Sequence, residues 1–144
     1  MNHTIERISS YDPSLIQPIS QMIEELTGRK AEHCEEYLRN IIEESSAELF
    51  ILRTEEAVAG MITLAHYPAL SGTKAWIEDV VVLSTFRGQG LARKMVSYAI
   101  EYCKQYYSPC TLMLTSNPSR IAANELYRTS GFEPKITNVY KTTL

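Results

Sequence analysis

An apolar run passes through two glycines into an amphipathic segment at Val80-Val-Val-Leu-Ser-Thr-Phe-Arg87-Gly-Gln-Gly90-Leu-Ala92. Backbone N–H groups at a helix start lack intrahelical acceptors, the helix dipole adds partial positive charge there, and glycine lets a bulky anion approach the main chain. The chemistry on offer is phosphate recognition, to which Arg87 adds a charge. The common nucleotide motifs do not fit: Arg93 stands where G-x-G-x-x-G needs its third glycine, and no G-K-[ST] occurs. From these residues alone, a plain turn with nothing bound is the competing reading. Upstream, Glu78 and Asp79 lie between Ile77 and Val80 in an otherwise apolar strand. Carboxylates there call for a partner or a task. Adjacent strand side chains alternate, so only one of the two is expected to face a given pocket.

Other chemistries have less support. Cys34, Cys103 and Cys110 are odd in number and form no C-x-x-C, and His3, His33 and His66 are scattered. Neither a disulfide framework nor a metal site is expected. No general base is signalled beside Cys103 or Cys110, so a covalent route through a thiol is a poor competitor.

The elements that must position these residues are legible from periodicity. A strand is expected at 4–8. The Asp12-Pro13 start signal then opens a helix with Leu15, Ile16, Ile19, Met22, Ile23 and Leu26 at helical spacing, stopped by Gly28. A second helix is expected from Ala31 to Glu44, burying Cys34, Tyr37, Leu38, Ile41 and Ile42. Leu49–Leu52 and Val58–Ala65 form a hairpin, and Lys74–Val82 a third strand. His66–Gly72 reads as a loop whose Pro68 and Gly72 break pairing. A long helix follows from about Gly88 to Tyr106, then a strand at Thr111–Thr115, a helix at Ser119–Thr129 ending at Gly131, and a last strand at Val139–Thr142. The sum is an α+β fold, a mixed and mostly antiparallel sheet flanked by helices, in one domain over 1–144.

Composition agrees. The chain has 144 residues, 44% of them hydrophobic, and a net charge of -3. A broad grip on nucleic acid or an anionic membrane is not expected. The longest apolar runs fall short of a membrane span, and the N-terminus lacks the apolar stretch of a secretory signal, which points to the cytoplasm.

Arg87-Gly-Gln-Gly90-Leu-Ala92 after a strand resembles the acetyl-CoA signature of the GNAT superfamily of N-acetyltransferases. The block Leu114-Thr-Ser-Asn117-Pro-Ser-Arg120-Ile-Ala-Ala-Asn124-Glu-Leu-Tyr127-Arg-Thr-Ser-Gly131-Phe132 resembles that superfamily's strand, Asn-containing helix, Tyr and closing Gly-Phe. The resemblance implies acetyl-CoA as acetyl donor, with its pyrophosphate on the amides of Arg87, Gly88, Gln89, Gly90, Leu91 and Ala92. Its pantetheine arm would lie along the main chain of Val80, Val81 and Val82. Asn117 and Asn124 match positions that hydrogen-bond the arm, although Asn117 serves equally as a turn former before Pro118.

Tyr127 matches the tyrosine that protonates the leaving sulfur, against the alternative of a core tyrosine. Glu78 is nominated as base for the amine with Asp79 as runner-up, against a structural carboxylate, and a backbone N–H near Val80 as oxyanion donor. The acceptor pocket is expected from Met22–Arg39 and His66–Thr73, with Arg29, His66 and Tyr67 lining it. The expected acceptor is a small amine, polyamine-like or an amino sugar, and a homodimer remains open. A peptide acceptor and a silent acyl-CoA-binding regulator are the alternatives.

Overall fold

Asp12 lies in extended backbone, and its side chain accepts from the Ser14 amide at 2.9 Å, which caps the 3-10 turn Pro13–Leu15. The chain continues into α1 (Ile16–Thr27), which Gly28 ends in a left-handed conformation, φ 71. These elements belong to a computed structural model that describes residues 2–144. After β1 (Thr4–Arg7) and α1 come α2 (Cys34–Glu43), β2 (Ala47–Arg53), β3 (Val58–Ala69), β4 (Gly72–Val82), α3 (Leu91–Tyr106), β5 (Thr111–Met113) and α4 (Ile121–Thr129). The described residues divide into two compact units, one ending at Leu114 and one spanning Thr115–Leu144.

In the N-terminal unit the five strands stand in sequence order in one sheet. β1 to β4 pair antiparallel, and β5 pairs parallel with β4. The mixed, mostly antiparallel α+β architecture is the one expected from the sequence. Strand alternation separates two faces. Leu49, Ile51, Met61 and Val81 join Leu15, Ile19, Met22 and Leu38 in a core under α1 and α2. On the other face Phe50 meets the Tyr98 and Tyr102 rings of α3 edge-on, at 5.2 and 4.9 Å. Gly60 allows α3 and β4 to come close, because a Cβ there would lie 2.8 Å from the Val81 carbonyl oxygen and 3.1 Å from Met95 Cε.

Several boundaries differ from expectation. α2 starts only at Cys34, because His33 adopts left-handed backbone, φ 58. Tyr37 is not buried but 58% exposed on that helix's outer side. α3 starts at Leu91 and not at Gly88. Residues His66–Ala69, expected as loop, are strand: Pro68 faces Thr73 in the β3–β4 ladder, and only residues 70 and 71 turn. β2 ends its pairing at Ala65, so Pro68 has no strand on its other side and its missing N–H costs little. No strand forms at Val139–Thr142; Val139 and Tyr140 are exposed, and no described strand accepts their backbone hydrogen bonds. Strand-forming side chains without a ladder do not make a strand.

Candidate functional site

Leu83 leaves β4 with its amide bonded to Ala59 O at 2.9 Å, and a 3-10 turn at Ser84–Phe86 leads to the glycines. Gly88 and Gly90 hold φ 82 and φ 73, a left-handed backbone that glycine adopts without penalty. A Cβ at either position would meet nothing within 4 Å. Conformation, and not crowding by the protein, is therefore what demands glycine here. The first α3 hydrogen bond runs from Lys94 N to Gly90 O, at 3.1 Å. Among the described residues no acceptor is bonded to the amides of Gly88, Gln89, Gly90, Leu91 or Ala92. Five unpaired donors in sequence at the start of a 16-residue helix are the kind of group an anion can use.

The Arg87 side chain turns back into the protein. Its Nε donates to Val82 O at 3.0 Å and its Nη2 to Glu25 Oε1 at 3.2 Å, while the same Glu25 oxygen accepts from Ser84 N at 3.0 Å. Glu25 thereby ties α1 to the turn. The Arg87 amide, expected among the phosphate-binding amides, instead donates to Ser84 O at 3.4 Å to close the 3-10 turn, so the free donors begin at Gly88. Nothing in the sequence pairs Glu25 with Arg87, which lie 62 positions apart.

Next to the glycine turn, β4 is paired on one side only. β5 reaches Lys74, Ala75 and Trp76 and stops, so no described strand lies against Ile77–Val82 on that side. On the other side the register steps from Thr63↔Glu78 to Met61↔Val81, which puts one extra residue in β4. This bulge holds Asp79 at φ 49 and leaves Asp79 and Val80 without register partners in β3. Strict alternation is therefore interrupted between Glu78 and Val81, which share a face although three positions apart. Both are exposed. Partial desolvation raises the Glu78 carboxyl, with the Asp79 charge adding to it, and desolvation raises Asp79.

Among the expected acceptor residues, His66 and Tyr67 point to opposite faces. His66 lies on the α3 side, stacked on Tyr107 at 4.0 Å with its Nε2 3.2 Å from Glu48 Oε1. Glu48 is 5% exposed, and the Tyr107 hydroxyl also donates to it. Desolvation and the neighbouring carboxylate push the Tyr107 phenol up. This cluster gives His66 a structural task. Tyr67 instead shares the Glu78 face, where its hydroxyl accepts from Trp76 Nε1 at 3.1 Å. Trp76 was not singled out from the sequence; its spacing of two from Glu78 is the signal that would have found it. Arg29 is exposed in the connection after α1, which its amide joins to Thr27 Oγ1 at 3.2 Å.

In the C-terminal unit, Asn117 Oδ1 accepts from the Ser119 amide and hydroxyl at 2.9 and 2.8 Å, the bonds of a turn former. Asn124 Nδ2 donates to Asn117 O and Arg120 O at 2.9 and 2.8 Å, so the group it can present to a ligand is Oδ1. Tyr127 packs edge-on against Phe132 at 6.1 Å and is 7% exposed. Its hydroxyl has no hydrogen-bond partner among the described residues and is not among the sealed, unpaired polar atoms. Desolvation raises this phenol against the lowering effect of Arg120, so it holds its proton at neutral pH.

Among the described residues no group of three or more His, Cys, Asp or Glu could hold a metal ion, and no helix is long and apolar enough to cross a membrane. The buried Cys103 thiol is pushed up to about 12, by desolvation first and then by Cys110 and Glu48.

Comparison with known proteins gives the fold wider context. No curated protein is a significant match. A transcriptional regulator from Bacillus halodurans C-125 superposes with TM-score 0.85 at 23% identity, over 99% of this chain and 100% of that one. An aminoglycoside acetyltransferase, meta-AAC0020, from an uncultured soil metagenomic sample, in complex with trehalose, gives TM-score 0.83 at 19% identity, over 99% and 97%. The aminoglycoside N-acetyltransferase AAC(6')-Iy in complex with CoA gives TM-score 0.80 at 12% identity, over 99% and 95%. The sequence model of the acetyltransferase (GNAT) family matches residues 17–132, through the bulged strand, the glycine turn and the Tyr127 helix alike, and the chain belongs to that family.

Proposed function

We propose that the protein transfers the acetyl group of acetyl-CoA to the primary amine of a small molecule, polyamine-like or an amino sugar, by direct attack. One observation carries the reading: the unpaired amides of residues 88–92 and the unpaired edge of β4 at 77–82 adjoin in one unit. A cradle for a diphosphate beside an edge that can accept an extended amide-bearing arm matches the two parts of CoA. CoA in the AAC(6')-Iy structure supports the same donor. The family match runs through both compact units, which supports a single domain.

Main-chain hydrogen bonds along Val80–Val82 would hold the arm, and the Val80 N–H, in the bulge, is the donor we assign to the oxyanion. Glu78 takes the ammonium proton, directly or through water, with Asp79 as the alternative base; their raised carboxyls suit proton acceptance from an amine better than ordinary ones would. Tyr127 gives a proton to the departing thiolate. The amine nitrogen bonds the acetyl carbon, the C–S bond breaks, and CoA leaves as the thiol with the Tyr127 proton; the second proton lost by the nitrogen returns to the Tyr127 phenolate, directly or through water, and the first is released from Glu78 to solvent.

Replacing Gly90 by Val is expected to weaken acetyl-CoA binding by at least about tenfold with little loss of Tm. Left-handed backbone costs an L-residue about 1–2 kcal/mol, and the turn would relieve that strain by moving its amides off the phosphate. Calorimetric titration of the variant checks this.

Direct transfer predicts intersecting initial-rate lines when acetyl-CoA and amine are both varied. Replacing Cys34, Cys103 and Cys110 together by Ala is expected to cost stability but spare turnover. Parallel lines with an acetylated cysteine in the mass spectrum would contradict this. The deciding experiment for the activity is thiol release from acetyl-CoA against a panel of amines. Amine-dependent release with an N-acetylated product supports the enzyme. Binding of acetyl-CoA without release to any amine, peptides included, would favour a silent acyl-CoA-binding regulator.

A further inference from the structure

The β3–β4 register sets Thr63 opposite Glu78, Ala65 opposite Trp76 and Tyr67 opposite Lys74. These residues alternate with their neighbours, so Lys74, Trp76 and Glu78 project from one face of β4. Met61 and Val81, packed under α1 and α2, lie on that same face. The row is accessible: Glu78 is exposed, Lys74 and Trp76 are half-buried, and Tyr67 is 44% exposed. Its chemistry is ordered, with a carboxylate at one end, an indole in the middle and an ammonium at the other. Among the described residues neither Lys74 nor Glu78 is in an ion pair.

The indole is oriented. Its N–H is used by Tyr67 at 3.1 Å, and its cross-strand neighbour Ala65 is small, so what remains to a ligand is the ring face. An alkylamine is an ammonium at neutral pH, with pKa about 10.4 in the unperturbed lysine case. Such a cation is drawn both to Glu78 and to an indole face. At a strand rise of about 3.3 Å per residue, Lys74 lies about 13 Å along the chain from Glu78, and its long side chain shortens the gap. A second positive charge at the far end of a five-carbon amine would therefore approach the Lys74 ammonium.

Resting on the acetyl transfer proposed above, we infer that this face selects acceptors with one primary ammonium, packing the carrier on Trp76 and a neutral or anionic far end towards Lys74. Linear diamines of the same length are disfavoured. Of the two acceptor types kept above, the row favours an amino sugar or another monoamine over a polyamine.

The test uses three acceptors of equal length: 5-aminopentanoate, 5-aminopentanol and 1,5-diaminopentane, with kcat/KM measured at low ionic strength. The expected order is acid, then alcohol, then diamine, spaced by about tenfold per charge change, the size of a single charge interaction across several ångströms in a partly screened site. Lys74→Glu is expected to reverse the order and leave acetyl-CoA affinity unchanged. Trp76→Ala is expected to raise KM for all three, with Trp76→Phe restoring part of the loss. A diamine preferred by the natural protein, or an order unmoved by Lys74→Glu, would overturn the inference while leaving the acetyl transfer in place. Failure to bind acetyl-CoA at all would overturn the activity and the inference together.

Discussion

Tyr127→Phe is expected to lower kcat by about 10²- to 10⁴-fold, the usual contribution of a positioned general acid, with acetyl-CoA affinity essentially unchanged. The substitution removes one oxygen and keeps the ring, which is 7% exposed and packed on Phe132. The hydroxyl makes no hydrogen bond among the described residues, so its loss breaks no structural contact and Tm is expected to hold or rise slightly. A tyrosine that served only as packing would keep its turnover as well as its Tm, because the ring stays in place. The raised phenol sharpens the expectation, since the proton is present across the neutral range. Single-turnover rates with a rate-limiting chemical step check the result; full turnover in the variant would reduce Tyr127 to packing.

Glu78→Gln is expected to lower kcat/KM for the amine by a similar factor, in a pH-dependent way. The wild-type rate should fall as pH drops through the raised Glu78 value, because a protonated carboxyl accepts nothing. Above that value and below the amine's own pKa the gap between wild type and variant is widest. It closes towards about pH 10, where solvent supplies the neutral amine unaided. Stability should move the other way. A carboxyl raised in the fold binds its proton more tightly there than in the unfolded chain, so ionised Glu78 opposes folding above its folded value. Removing the charge should leave Tm at neutral pH unchanged or slightly higher. A pH profile unchanged in the variant would transfer the role to Asp79 or to water.

The legible parts of this site are those in which a residue type is itself the chemistry. Gly88 and Gly90 sit at positive φ where only glycine is comfortable, so two letters reported a backbone shape and, with the helix behind them, a run of unpaired amides. α1 was equally plain, because the Asp12 cap and Pro13 open the 3-10 turn that leads into it and Gly28 ends it in left-handed backbone. What depends on distant partners was not legible. His66 is held by Glu48, 18 positions away, and Arg87 by Glu25. The bulge at Asp79 follows from how β3 pairs with β4, and Asp79 takes a left-handed conformation that its side chain does not announce. Pro68 read as a breaker because an edge position, where proline is harmless, exists only once β2 is known to stop short. Val139–Thr142 shows the converse: strand propensity is a preference for a pleated surface, and no described strand supplies one.

The central claim, that the turn and the β4 edge are built for acetyl-CoA, is tested most directly by calorimetric titration of the protein with acetyl-CoA, with ATP and NAD run in parallel. The expected result is saturable heat with acetyl-CoA and a Tm that rises with its concentration, by mass action on the folded state, with much weaker responses to the other two. No heat and no stabilisation by acetyl-CoA, or equal responses to all three nucleotides, would contradict the account.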